Sequence, residues 1–101
     1  MKVNGKEIGF LYTVGALCDY TDWCVSNPKK STVSASLVKA EYMSREFARV
    51  NGTKDIVTAD ELRKLLPYEL EEILAEVQKA EEEGSRRQIE TTDVPKKKDA
   101  N

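Results

Sequence analysis

The chain opens Met1-Lys2-Val3-Asn4-Gly5-Lys6-Glu7-Ile8-Gly9-Phe10-Leu11-Tyr12-Thr13, and the architecture is set in this stretch. Asn4-Gly5 is a strong hairpin signal, because Asn and Gly tolerate the positive φ that a two-residue type I′ loop demands. With that loop, Val3 lies opposite Lys6, Lys2 opposite Glu7 and Met1 opposite Ile8. Met1, Val3, Ile8, Phe10 and Tyr12 then share one face, and Lys2 and Glu7 pair on the other. The first strand runs out at Met1, whereas the extended pattern continues from Gly9 through Thr13. Backbone groups of that continuation have no partner inside the hairpin, and no second clear period-2 run is present to pair with them. A subunit, a target protein, a packed helix or water must satisfy the edge, and open edges commonly recruit partners by strand addition. Phe10, Leu11 and Tyr12 are therefore candidate protein-binding residues.

Downstream, the pattern turns helical. Thr13 can cap a helix over about residues 14–25, in which Val14, Leu17, Cys18, Thr21 and Cys24 make one stripe and Ala16, Tyr20 and Trp23 another, roughly opposite. One stripe can pack on the hairpin and the other on a neighbouring helix; otherwise Tyr20 and Trp23 are interface anchors. Ser26-Asn27-Pro28 ends this helix. A second helix is expected from about Thr32 to Val50, with Ser31 as cap and Asn51-Gly52 as stop. Its inner stripe is Val33, Leu37, Ala40, Ser44 and Phe47, broadened by Val38, Tyr42 and Val50, and Lys39, Arg45 and Arg49 lie on its more polar side.

Thr58-Ala59-Asp60-Glu61 is a capping box that starts a further helix, and Pro67 either opens a third long helix or kinks a continuous one. Leu66, Leu70, Ile73, Leu74, Val77 and Ala80 form the apolar stripe there, and Leu70, Ile73, Leu74 and Val77 are further candidate binding residues. Glu81, Glu82 and Glu83 sit at the unfavourable end of the helix dipole and should fray it before Gly84. From Ser85 to Asn101 almost nothing can be buried, which predicts a disordered polar tail. The expected fold is mainly α with a small N-terminal β-hairpin (α+β), three to four helices packing as a small bundle over residues 1–84.

A chain of 101 residues makes one small domain, with a core that hides only about 60–65% of the unfolded surface. The net charge of −2 conceals segregation: residues 1–54 carry +3, residues 55–84 carry −7 and residues 85–101 carry +2. Near-cancelling ends argue against a nucleic-acid footprint, which needs a concentrated basic face, and allow head-to-tail electrostatic self-association. No run reaches the apolar length of a membrane span, and no signal-peptide core follows Lys2, so a cytoplasmic protein is expected. Cys18 and Cys24 stand about 9 Å apart along one helix axis, too far for a disulfide, and read as free, small core residues. With no histidine in the chain, a zinc site and the Ser-His-Asp and Cys-His nucleophile arrangements are ruled out; no Gly-rich phosphate loop is present either. Asp19 and Asp22 share a helix face, but without a cleft such a pair is ordinarily solvated surface. No catalysis, metal or cofactor is expected.

Lys2-Val3-Asn4-Gly5-Lys6-Glu7-Ile8, followed by Val14-Gly15-Ala16-Leu17, a helical middle and an acidic helix with a polar tail, resembles the small tail assembly chaperones of long-tailed bacteriophages. The resemblance covers residues 1–84 in layout. It implies a non-catalytic protein of the host cytoplasm that coats the long helical tape measure protein, helps recruit tail tube subunits and is absent from the finished virion. It also draws attention to Lys96-Lys97-Lys98, since such genes often make a longer product by ribosomal slippage and adjacent lysine codons can form an A-rich slippery run; a solvated basic tail is the plainer alternative. Two other roles fit the residues: a small helical nucleic-acid-binding regulator using the basic side of residues 29–54, and a structural head–tail connector that stays in the particle.

Overall fold

The computed structural model describes the backbone of residues 1–93 and the side chains of residues 1–85, and in it the opening hairpin has the register its turn dictates. Strands β1 (Lys2–Val3) and β2 (Lys6–Glu7) pair antiparallel, Lys2 opposite Glu7 and Val3 opposite Lys6. Asn4 and Gly5 adopt φ of 52° and 79°, as a type I′ loop requires. The Ile8 N–H extends the pairing by donating to the Met1 carbonyl at 2.7 Å. Glu7 accepts from the Met1 amino group at 2.9 Å, which replaces the expected partner Lys2.

Four helices follow: α1 (Val14–Ser26), α2 (Thr32–Asn51), α3 (Ala59–Leu62) and α4 (Pro67–Asp93). Local chemistry starts each one. The Thr13 hydroxyl accepts from the Ala16 N–H and the Ser31 hydroxyl from the Ser34 N–H, both at 3.1 Å. Thr58 and Glu61 satisfy each other's backbone N–H groups in the capping box. Pro67 opens α4 as a separate helix, and the Leu66 N–H just ahead of it donates to the Glu69 carboxylate at 2.9 Å. Gly52 ends α2 in the left-handed conformation at φ 68°.

Val3 and Ile8 of the hairpin segment, Ala16 of α1, Leu37, Ala40 and Met43 of α2, Val57 and Leu62 around α3, and Ile73 and Val77 of α4 form one buried core. Ser44 is the buried polar side chain among the described residues, and it is fully used. Its hydroxyl donates to the Glu41 carbonyl at 2.8 Å and accepts from the Val57 N–H at 3.2 Å, stitching the segment before α3 onto α2.

Residues 9–13 form no strand. They run against α2 and α4: the Leu11 N–H donates to the Met43 carbonyl at 3.1 Å, so at that point a packed helix covers the edge. Glycine permits two close approaches here. A Cβ on Gly9 would stand 2.5 Å from the Phe47 ring, and one on Gly84 would stand 2.9 Å from the Tyr12 carbonyl oxygen. Gly84 thus marks a crossing point, and the expected end of the helix before it is replaced by continuation to Asp93. The acidic run does not fray α4 either, since Glu81 is held by Lys39 at 3.0 Å. Residues 94–101, including Lys96, Lys97 and Lys98, lie outside the described residues. Among those described, no helix is long and apolar enough to cross a membrane.

Candidate protein-binding surfaces

Helix α1 packs on α2 through the face that carries Ala16, Tyr20 and Trp23: Ala16 is buried and the two aromatic side chains are half-buried. The Lys39 ammonium sits 4.7 Å from the centre of the Tyr20 ring while bonding Glu81, which ties α1, α2 and α4 together at one cation. Burial pushes the Tyr20 and Tyr42 hydroxyls above their ordinary pKa. At the other end of the helix, Thr13 donates to the Glu46 carboxylate at 2.7 Å and Arg49 bonds the same group at 2.9 Å. Arg49 and then Thr13 hold the Glu46 carboxyl below the usual carboxylate range.

Only one stripe of α1 is covered. The other, Val14, Leu17, Cys18, Thr21 and, one turn on, Val25, faces outward, with Val14 62% and Val25 80% exposed. The expectation that one stripe packs on the hairpin and the other on a neighbouring helix is not met: the Ala16 stripe alone is covered, and Ala16 shares the core with Val3 and Ile8 of the hairpin segment. Cys18 is accordingly exposed and is no core residue; Cys24 is half-buried, and both thiols are free. The Thr21 hydroxyl donates to the Leu17 carbonyl at 2.6 Å, so the middle of the stripe holds no unpaired donor. Asp19 and Asp22 border it, both exposed, and α1 contains no basic residue.

A second apolar surface lies between the N-terminal turns of α2 and the α3–α4 corner. It is a groove of about 580 Å³ whose apolar lining comes from Val33, Leu37, Leu62, Leu65, Leu70 and Leu74. Arg63 and Glu71 also line it, with the hydroxyl-bearing residues Thr32, Ser34 and Ser36 along the α2 side. The groove exists because α3 is a single turn and Pro67 restarts the chain in a new helix, leaving the first turns of α2 and α4 incompletely filled between them. Its dimensions and mostly apolar lining suit aliphatic side chains from a helix.

The residues singled out from sequence separate into three groups. Leu70 and Leu74 line the groove. Ile73 and Val77, at the same helical period, are buried and belong to the core, so they offer no surface to a partner. Phe10 and Tyr12 pack partly buried against the core, Leu11 is tied to α2, and Tyr20 and Trp23 lie on the inner side of α1. Missed as surface were Val25, Val33, Leu66 and Tyr68, all exposed. For Val25 the sequence signal was that α1 bears two stripes and a single copy has neighbours for one; Val33, Leu66 and Tyr68 lie outside α1 and carried no such signal.

The basic side of α2 is neutralised within the molecule. Lys39 pairs with Glu81, Arg45 with Glu41 at 2.6 Å and Arg49 with Glu46 at 2.9 Å. Among the described residues no group of three or more metal-ligating side chains comes together. No protein-family model, no curated protein and no solved structure matches the chain.

Proposed function

We propose that this protein is a non-catalytic tail assembly chaperone of a long-tailed bacteriophage, which binds the helical tape measure protein in the host cytoplasm, self-associates along it and helps recruit tail tube subunits. The observation that carries this is contiguous apolar surface a single copy leaves open: the outer stripe of α1 and the groove between α2, α3 and α4. Scattered exposed apolar side chains are ordinary, but a helix-long stripe together with a groove marks interaction surface. An extended helical client presents the complementary i, i+3, i+4 pattern. The N-terminal motif from Lys2 to Ile8, with Val14-Gly15-Ala16-Leu17, supports the choice of family.

A nucleic-acid regulator is disfavoured by the pairing of Lys39, Arg45 and Arg49 with carboxylates, because phosphate binding would have to break those pairs. The direct test is to look for a very long helical open reading frame just downstream of this gene and to co-express its product with this chain, followed by tagged purification. Retention of the client, together with absence of this chain from purified particles by mass spectrometry, is expected. No retention overturns the chaperone, and presence in the particle assigns a connector.

A further inference from the structure

Resting on the self-association in that reading, we propose that the outer face of α1 of one copy seats in the α2–α3–α4 groove of the next, joining copies head to tail. The two surfaces match in shape. Val14 to Val25 spans about 16 Å of helix, presenting apolar side chains on one face, and the groove runs from the first turn of α2 to Leu74 with an apolar lining.

They also match in charge. Asp19 and Asp22 lie beside the stripe with no cation on its helix, and Arg63 is the cation in the lining of the groove. Glu71 stands on the α4 side, which orients the incoming helix with its aspartates away from α4.

Other pairings of two copies are worse. Stripe against stripe brings Asp19 and Asp22 of both copies together, and groove against groove sets two concavities face to face. One copy cannot close the contact on itself, because the inner face of α1 is fixed on α2 and its stripe faces away. Two different surfaces make a heterologous contact, which propagates into a chain or closes into a ring.

The test uses the full chain in sedimentation velocity over a concentration series, with Val25→Glu as the stripe variant and Val33→Glu as the groove variant. Both side chains are mostly exposed, at 80% and 58%, and circular dichroism checks that each variant stays folded. Val14→Glu is a second stripe variant. Wild type is expected to grow beyond the dimer, and each variant alone to associate at least tenfold more weakly. An equimolar mixture of Val25→Glu and Val33→Glu is expected to form dimers and stop, since it retains one intact stripe and one intact groove. Asp22→Lys should weaken assembly and Arg63→Glu added in the same chain should restore it.

Wild type that stays monomeric, a stripe variant that assembles like wild type, or a mixture that stays monomeric overturns the contact. Client retention measured on the same preparations keeps the two ideas apart. A monomer that retains tape measure protein sinks this contact alone, whereas head-to-tail oligomers that retain none uphold it and sink the chaperone.

Discussion

The Lys6 ammonium lies 2.9 Å from the Glu61 carboxylate, fastening strand β2 to the first turn of α3 across most of the domain's sequence. Lys6 also reaches the Ile56 carbonyl at 2.7 Å, so a single side chain holds the hairpin against the segment that enters α3. Glu61 meanwhile completes the capping box, and Lys6, followed by the Thr58 backbone N–H, lowers its pKa to about 2 from the ordinary 4.5.

The sign of the pH dependence follows from that depression. A carboxyl whose pKa is lower in the folded chain contributes stability above its unfolded value and loses it as protons are taken up. Both side chains remain about 30% exposed, and solvent screening reduces the pair to about 1 kcal/mol. Glu61→Gln keeps the capping geometry but removes the charge. The stability gap between wild type and Glu61→Gln should be constant above about pH 5 and close as pH falls from 4.5 toward 2. Parallel curves through that window contradict the assignment.

Ser44→Ala should cost about 1–3 kcal/mol by chemical denaturation, because the Val57 N–H would be left buried with no acceptor. The control is Ser36→Ala on the same helix, where only a bond to the Thr32 carbonyl is lost and the change should stay within about 0.5 kcal/mol. Equal effects at the two positions would show that Ser44 does not stitch the loop.

Gly84→Ala reverses the ordinary helix rule. Alanine in a helix interior gains about 1 kcal/mol over glycine, yet a Cβ here meets the Tyr12 carbonyl oxygen at 2.9 Å and its Cβ at 3.2 Å. Moving two packed backbones apart costs about 1–3 kcal/mol, so a net loss of roughly 1 kcal/mol is expected in thermal or urea unfolding. A stabilised variant would show that the segment ending at Thr13 does not press on α4.

What the sequence disclosed is the chemistry that acts within a few residues. Asn4-Gly5 set the hairpin register, Thr13 and Ser31 set helix starts, and Thr58 with Glu61 set α3, since each bond joins near neighbours. Choices between equally periodic faces stayed hidden. Both stripes of α1 have helical spacing, and only the packing of Ala16, Tyr20 and Trp23 on α2 decides which one is left outside. On α4 the same period holds Leu70, Ile73, Leu74 and Val77, but the middle of the core takes Ile73 and Val77 while Leu70 and Leu74 meet the groove. Gly84 reads locally as a helix stop, and its actual role depends on Tyr12, far away in sequence.

The central claim, that the outward apolar surface binds while the inward aromatics fold, is tested most directly by tape measure protein retained per folded molecule in Leu17→Glu and Trp23→Ala. Leu17 belongs to the open stripe and Trp23 to the covered one. Leu17 is 39% exposed, so Leu17→Glu should lower stability by no more than about 1 kcal/mol. Because copies that cannot chain head to tail lose the avidity of repeated contact along the client, it should retain at least tenfold less client per folded molecule. Trp23→Ala should melt lower, by about 2–3 kcal/mol of lost burial, and retain client normally per folded molecule. The reverse result, lost retention at Trp23 with intact binding at Leu17, would place the binding surface on the inner side of α1 and contradict the assignment.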